Sequence, residues 1–308
     1  MTPSLRPMLA TPVATASALP LGWHYEVKWD GYRAIACVDK GSLRLESRGG
    51  IDLAPKYPEL GELAQLLSGR EAVLDGEVVV LDEQGRSSFE GLQTRGRTKV
   101  PVHLMLFDLL WLDGTSLVDL PYLERRDFLT GLVGDGSAHV HVPTTFGDER
   151  DFALEASRQL GLEGVLAKRP DGTYRPGARS ADWLKFKHAN AQSVVVVGWS
   201  PGENRRAGTV GSLVMAVQSK QGLTCVGRVG TGFTQAMLAE AKEMLVPLEV
   251  KGPTVPDATT AEAKGVHWVR PELVGEVNFL SRTNSGRLRH PSWRGWRPDV
   301  DPADVWPE

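Results

Sequence analysis

The sequence predicts an α+β protein of two domains, and three observations support this. The 308 residues are enough for one large or two ordinary domains. The first part of the chain alternates apolar runs of strand length with segments of helical spacing. After about residue 188 the pattern changes to short Val-rich strands separated by Gly-rich turns. We therefore expect one domain over residues 1–188 and a smaller β domain over residues 189–308.

The first domain is predicted to contain several short strands and two amphipathic helices. Residues 25–38 are interpreted as a strand pair that turns at Asp30-Gly31, because this dipeptide favours tight turns. The other predicted elements are strands over 72–81, 103–111, 164–168 and 182–187, and helices over 123–133 and 149–160.

The second domain is predicted to be a small barrel. Its strands are expected over 193–199, 211–218, 223–229, 266–269 and 273–280, with a helix over 235–248 and a surface loop over 251–265. Five strands with a helix after the third are typical of a Greek-key barrel of the OB type.

Composition excludes several classes of protein. Hydrophobic residues make up 41% and charged residues 24%, as in an average globular protein, so a disordered or fibrous chain is not expected. No stretch approaches the roughly 20 apolar residues of a membrane span. The Ala-rich start is broken by Pro12 and Pro20, so we interpret it as mature chain rather than a secretion signal. Cys37 and Cys225 indicate neither a disulfide scaffold nor a zinc site, and we interpret them as core residues of a cytosolic protein.

The net charge of −3 conceals three cationic windows, over residues 91–99, 168–187 and 282–297. The third contains five arginines and two tryptophans and no acid. Such windows favour a phosphate-rich partner. His141, His188 and His267 stand alone in the sequence, and we interpret them as structural or solvent residues.

The most informative segment is EVKWDGYR at residues 26–33. Lys28 lies at the end of an apolar strand beside a glycine turn, where a lysine can lose solvent and act as a nucleophilic amine. Gly31 would permit a tight turn with positive φ and the close approach of a ligand. On its own, this pattern is also that of a surface hairpin.

Five further motifs follow in order: SRGG at 47–50, DGE at 75–77, LFD at 106–108, EGVLAK at 163–168 and WLKFK at 183–187. Together with residues 26–33 they resemble the nucleotidyltransferase motifs of ATP-dependent DNA ligases and of the related RNA ligases and capping enzymes. RPMLA at 6–10 and GRLRHPSWRGWR at 286–297 are similar to segments of small bacterial ligases and of the ligase module of the bacterial end-joining protein. The resemblance implies an adenylation domain over 1–188, with antiparallel sheets and flanking helices, and an OB-fold barrel over 189–308.

The resemblance also implies roles for individual residues. Lys28 matches the family's covalent AMP-lysine, and Lys185 and Lys187 would keep that amine neutral by like-charge repulsion and would hold the triphosphate. Glu77 and Glu163 match the carboxylates near Mg²⁺ or Mn²⁺. The ATP-binding set implied by the resemblance is Glu26, Arg33, Arg48, Glu77, Phe107, Lys185, Lys187, Arg289 and Arg297. Phe107 would stack on adenine, and Arg289 and Arg297 would orient the leaving pyrophosphate. The family often has a lysine shortly after this last motif, where this chain has Val300.

The function implied by the resemblance is ATP-dependent sealing of nicked duplex DNA in DNA repair, through lysyl-AMP and adenylylated DNA. We expect a monomer in the bacterial cytoplasm, associated with the nucleoid, that uses ATP and Mg²⁺, contacts no membrane and cooperates with DNA-repair proteins. Two alternatives remain open at this point. One is an RNA ligase or a GTP-dependent capping-type enzyme, and the other is an OB-type nucleic-acid-binding module without catalysis.

Overall fold

The protein is represented by a computed structural model that describes residues 2–98, 100–202 and 208–307, without the side chains of residues 94 and 96–98. The chain divides into two units, Met1–His188 and Ala189–Glu308. Within residues 91–99, Lys99 and the side chain of Arg97 therefore lie outside the described part of the predicted cationic window.

The first unit contains ten strands and four α-helices among its described residues. The strands are β1 (Leu9–Pro12), β2 (His24–Val27), β3 (Tyr32–Asp39), β4 (Ser42–Ser47), β5 (Ala72–Val80), β6 (Val102–Leu112), β7 (Thr115–Ser116), β8 (Val140–His141), β9 (Gly164–Lys168) and β10 (Arg179–Lys187). The helices are α1 (Glu62–Leu66), α2 (Phe89–Thr98), α3 (Tyr122–Val133) and α4 (Arg150–Gln159), and short 3-10 turns cover Ala16–Ala18, Ala54–Lys56 and Pro58–Gly61.

Two sheets form the centre of this unit. One has the order β1-β10-β9-β2, in which only the β1–β10 pair is parallel. The other has the order β4-β3-β5-β6-β7, with β8 added parallel to β6. Within the described residues the unit is thus a mixed, sheet-rich α+β structure, and the predicted strands over 72–81, 103–111 and 164–168 and helices over 123–133 and 149–160 are confirmed.

The alternation of β3 shows how the layers are arranged. Ile35 and Cys37 belong to an apolar cluster that also contains Trp183 of β10, so they lie between the two sheets. Ala36 belongs to a second cluster that includes Leu129 of α3, on the opposite face of β3. Since side chains of a strand alternate between faces, one strand serves both cores. Buried Cys37 is confirmed as a core residue, as is Cys225 in the second unit.

The predicted hairpin over 25–38 is wrong. β2 pairs with β9 in the four-stranded sheet, whereas β3 pairs with β4 and β5 in the other sheet. Asp30-Gly31 is therefore the crossing between sheets, and the φ of Gly31 is not positive. A Cβ at Gly31 would lie 2.1 Å from the Val78 carbonyl oxygen of β5. Glycine is needed there because the backbones approach closely.

A buried ion pair attaches α3 to β6. Arg125 donates from Nε and Nη2 to the two carboxylate oxygens of Asp108 at 2.7 and 2.8 Å, and both side chains are fully buried. Arg125 Nη1 also donates to the carbonyls of Leu120 and Gly172 at 2.6 and 3.0 Å. This arrangement satisfies a charge that would otherwise be costly to bury.

The second unit is built on one extended sheet. Its strands are β11 (Ala191–Pro201), β12 (Val210–Ser219), β13 (Gly222–Val229), β14 (Glu249–Val250), β15 (His267–Asn278), β16 (Ser281–Arg282), β17 (Leu288–Arg289) and β18 (Ser292–Trp296), with helices α5 (Gln235–Leu245) and α6 (Thr260–Ala263) and 3-10 turns at Val246–Leu248 and Pro302–Asp304. The sheet order is β13-β12-β11-β15-β14, β18 pairs with β15, and β16 pairs with β17. The predicted helix follows the third strand, but the two strands predicted over 266–280 are one strand, and no closed barrel is found among the described strands.

The lone histidines of the sequence all have partners. His103 Nδ1 and His141 Nε2 lie 3.0 Å apart, and the His139 ring is 5.6 Å from that of His103. His188 is 2.7 Å from the Ser157 hydroxyl, and His267 stacks on Trp199. In addition, no helix in the described residues has the length and apolar character needed to cross a membrane.

The buried ion pair yields the first prediction. Changing Asp108 to Asn keeps the shape but leaves the buried Arg125 guanidinium without its counter-charge. Removing one partner of a buried pair costs about 3–5 kcal/mol, so we expect the free energy of unfolding by urea to fall by that order. A loss below about 0.5 kcal/mol, the size of an ordinary surface change, would contradict the structural role.

The histidine pair yields a prediction about pH. Burial, followed by the charge of neighbouring histidines, lowers the pKa of His103 and His141 from 6.5. A histidine whose pKa is lower in the folded state contributes stability above its unfolded pKa, and this stability is lost as the pH falls below it. The double variant His103→Gln/His141→Gln should therefore lose less stability than the parent between about pH 7 and pH 5, measured by urea unfolding at each pH. An equal loss of unfolding free energy in the parent and the double variant would contradict this role of the histidine pair. The loss would then come from other groups, since the nearby Glu59, Glu62 and His139 are unchanged in the variant.

Candidate functional site

Lys28 lies immediately after β2 and stays attached to β9. Its backbone N–H donates to the Gly164 carbonyl at 3.1 Å, so the main-chain pairing of the strands continues through Lys28. The side chain is 19% exposed, which leaves the amine partly shielded from water but accessible. The strand pairing therefore determines where this amine can act.

Glu163 connects Lys28 with Lys187. Lys28 Nζ forms an ion pair with Glu163 Oε2, and Lys187 Nζ lies 3.4 Å from Glu163 Oε1. A carboxylate therefore lies between the two amines, and the predicted like-charge effect of Lys185 and Lys187 on Lys28 stays a prediction. Lys185 lies two residues before Lys187 on β10, opposite Leu166 of β9.

A glycine permits this arrangement of charges. A Cβ at Gly164 would lie 2.0 Å from the Phe186 carbonyl oxygen and 2.9 Å from the Lys187 Cα. Any side chain would therefore separate β9 from β10 and move Lys187 away from Glu163. The Glu-Gly pair of the EGVLAK motif thus has a steric explanation in this fold.

Arg33 is bound by a buried carboxylate. Its Nε and Nη2 donate to Asp75 at 2.5 and 2.6 Å, and Tyr174 donates its hydroxyl to the same carboxylate at 2.5 Å. Burial disfavours the charge of Arg33, but Asp75 outweighs this effect and raises its pKa. Glu77 lies directly opposite Arg33 in the β3–β5 register. Binding of nucleotide by Arg33 stays a prediction, since part of its donor set is used by Asp75.

Glu26 lies in a buried polar network that also contains Lys168. Lys168 is not among the site residues predicted from the sequence. Lys168 Nζ lies 2.9 Å from Glu26 Oε2 and 3.2 Å from the Phe107 carbonyl oxygen, and the side chain is fully buried. Tyr122 donates its hydroxyl to Glu26, and Arg126 lies 3.8 Å from it. Burial opposes ionisation of Glu26, but Lys168 and Arg126 outweigh it and lower its pKa. The signal that could have identified Lys168 is a charged residue ending an apolar strand within a shared motif.

Phe107 lies in the core between the two sheets and is 4% exposed. Arg33 Cζ and Lys168 Nζ are each 4.7 Å from its ring centroid. Stacking on adenine stays a prediction, and in this structure cations contact the ring. Arg48 follows β4 in a turn in which Gly50 N–H donates to the Ser47 carbonyl at 2.9 Å.

The two arginines predicted in the second unit differ from each other. Arg289 on β17 is exposed. Arg297 donates to Asp299 from Nε and Nη2 at 2.8 and 2.7 Å and to Glu276 from Nη1 at 2.8 Å, and both acids are buried. The structure thus gives Arg297 a part in the packing of its own unit, and its predicted role in orienting pyrophosphate stays a prediction. Val300 is buried in the same core.

Comparison with known proteins identifies the family. The protein-family model described as "ATP dependent DNA ligase domain" matches residues 7–187, and the family model described as "ATP dependent DNA ligase C terminal region" matches residues 206–300. The chain is 45% identical over 300 residues to the multifunctional non-homologous end joining protein LigD of Mycolicibacterium smegmatis, covering 97% of this chain and 39% of that protein. It is 33% identical to a DNA ligase of Natronomonas pharaonis, covering 91% of this chain and 52% of that protein.

A solved structure gives the same result. The mycobacterial DNA ligase D complexed with ATP and MES is 44% identical, with a TM-score of 0.69, and the match covers 99% of this chain and 98% of that chain. The chain spans about two fifths of the length of the curated LigD proteins that it matches. The two family models match residues 7–187 and 206–300, the solved structure matches 99% of the chain, and the chain belongs to the ATP-dependent DNA ligase family.

Proposed function

We propose that this chain seals nicks between a 3′-hydroxyl and a 5′-phosphate in duplex DNA, using ATP. The observation that carries the proposal is the row of Lys28, Glu163 and Lys187 across three adjacent strands. A partly shielded amine beside a carboxylate and a second cation suits nucleophilic attack on a phosphate. Non-catalytic binding of nucleic acid would not require this arrangement.

The reaction proceeds in three displacements at phosphorus. Lys28 Nζ, after losing a proton, attacks the α-phosphorus of ATP, and the bond to the β-phosphate breaks to release pyrophosphate. The DNA 5′-phosphate oxygen then attacks the phosphorus of the lysyl-AMP and frees Lys28. Finally the 3′-hydroxyl loses its proton and attacks the 5′-phosphorus, and AMP leaves. Lys185 and Lys187 offset the negative charge on the phosphates.

The ion pair with Glu163 bears on the first displacement. An ammonium group has no lone pair on its nitrogen. Lys28 can therefore attack only after it loses a proton, which also ends its ion pair with Glu163. Glu163 and Glu77 are the residues that would hold Mg²⁺ or Mn²⁺, and the metal would neutralise phosphate charge. Two carboxylates fit a cation that takes most of its ligands from phosphate and water. Glu26, Arg33, Arg48 and Phe107 would line the nucleotide pocket.

The two units would have different roles in the reaction. The first would be the adenylation domain and the second an OB-fold domain, supported by the strand order and by the helix after the third strand. DNA would be held mainly through its phosphates. End joining is named for the LigD relatives, and we propose a role in DNA repair, in the bacterial cytoplasm near the nucleoid, as a monomer assisted by repair proteins. Incubation with α-labelled ATP or GTP, followed by nicked DNA or RNA, separates this proposal from the RNA ligase and capping-type alternatives.

Changing Lys28 to Arg tests the nucleophile. The guanidinium stays protonated and cannot attack, so we expect no covalent AMP adduct and no sealing with ATP. A preadenylylated nick should still be sealed, since that step needs no lysine nucleophile. The adduct is measured with α-labelled ATP on a denaturing gel, and Lys220→Arg, the same change at an exposed site of the second unit, is the matched control. Normal adduct formation by Lys28→Arg would refute the assignment.

The two arginines of the second unit are expected to respond differently to substitution by alanine. Arg297→Ala leaves the buried Asp299 carboxylate without its arginine and removes the 2.8 Å contact to buried Glu276, which keeps Arg294 at 3.7 Å, so we expect a stability loss of about 3 kcal/mol. Exposed Arg289→Ala should leave stability unchanged and slow single-turnover formation of lysyl-AMP by about tenfold or more. The substitution removes a positive charge that would offset the negative charge of the leaving pyrophosphate. If Arg289→Ala forms the adduct as fast as the parent, Arg289 has no part in the first step.

A further inference from the structure

A groove outside the proposed site runs along the exposed face of α3. It has a volume of about 530 Å³ and lies between α3 and the end of β6. Its lining residues are Arg70, Leu112, Glu124, Asp127, Phe128, Gly131 and Leu132. The proposed reaction uses none of these side chains.

Gly131 is a notable part of the groove because the fold does not require it. It lies within α3, its φ is not positive, and a Cβ built on it would meet nothing within 4 Å. Glycine inside a helix weakens the helix relative to alanine. The absence of a side chain therefore neither relieves strain nor makes room for a neighbour in the described chain, and its effect is to keep the groove open.

The floor of the groove is apolar and partly exposed. Phe128 is 50% exposed, although it lies on a helix whose opposite face is buried through Leu129 and Val133. Leu112 and Leu132 complete the apolar lining. A large apolar side chain from another molecule could cover Phe128 and approach the backbone at Gly131.

The rim of the groove is acidic. Glu124 and Asp127 lie one helical turn apart, and within residues 2–98, 100–202 and 208–307 neither carboxylate has an ion-pair partner. Arg70, the one cation of the lining, is already paired with Asp113 at the β6–β7 turn. The rim therefore repels nucleic-acid phosphates and attracts basic groups.

We propose that this groove binds a segment of another protein that carries one bulky apolar side chain flanked by lysines or arginines. The apolar side chain would rest on Phe128 beside Gly131, and the basic groups would pair with Glu124 and Asp127. This surface would let the chain dock to a protein partner while the nucleotide site stays accessible.

The test uses the full chain and a fluorescent decapeptide with one tryptophan between pairs of lysines in a Gly/Ser background. We expect saturable binding at sub-millimolar concentration by anisotropy. Two related peptides, with glutamate for lysine and with alanine for tryptophan, should bind at least about tenfold more weakly. Absence of saturable binding, equal binding of the glutamate peptide, or displacement of the probe by nicked DNA would overturn the proposal.

Substitutions in the groove test whether the peptide binds there. Gly131→Leu should fill the groove and weaken binding by about tenfold or more while raising the unfolding temperature, because leucine favours a helix. Glu124→Lys/Asp127→Lys should weaken binding most at low salt. Thr130→Leu, which places the same side chain at a neighbouring exposed position that does not line the groove, is the control and should bind like the parent. If Gly131→Leu lowers the unfolding temperature or leaves binding unchanged, the proposal fails.

Discussion

The main-chain pairing of β2, β9 and β10 is the constraint on which the proposed site depends. Lys28 lies at the end of one strand, Glu163 precedes the next, and Lys187 ends the third. Three charged side chains can meet because the strands are hydrogen-bonded neighbours about 4.8 Å apart. Gly164 lets β9 and β10 approach without a side chain between them. A change in this register by one residue would turn the charges to the other face of the sheet.

Buried charge is concentrated where the site meets the core. Asp75 with Arg33, Asp108 with Arg125, and Glu26 with Lys168 are three ion pairs that lie within or next to the space between the sheets. Such pairs contribute little net stability compared with apolar packing of the same volume, but an unpaired member is costly. Two of the pairs join neighbouring strands of one sheet and the third joins α3 to β6, so each favours the local arrangement in which neither charge loses its partner.

The second unit uses the same principle for a different purpose. Arg297, Glu276 and Asp299 join β15 to the segment after β18 through charge-assisted hydrogen bonds. The arginine-rich end of the chain is therefore not a uniform phosphate-binding surface, because Arg287 is also paired, with Asp257 and Glu262. Local charge density in the sequence overestimated the positive surface, since the compensating acids Asp257, Glu262 and Glu276 come from earlier segments and Asp299 follows the arginine-rich segment.

The sequence by itself determined the family, the order of the motifs and most elements of the first unit. Long apolar runs such as β5 and β6 and the helical spacing of α3 are local signals, because each depends on residues within one segment. The identity of Lys28 as the expected nucleophile also came from a local motif. What only the tertiary structure decided were pairings between distant segments: Lys28 with Glu163, Glu26 with Lys168, His103 with His141, and the crossing at Gly31 in place of a hairpin. Local turn propensity cannot distinguish a hairpin from a crossing between sheets, because the deciding contact is the Val78 carbonyl, far along the chain. The same reason explains Phe107, which packs near Trp183 of β10, and the contact of Arg297 with Glu276 of β15, although Asp299 beside Arg297 is a local partner.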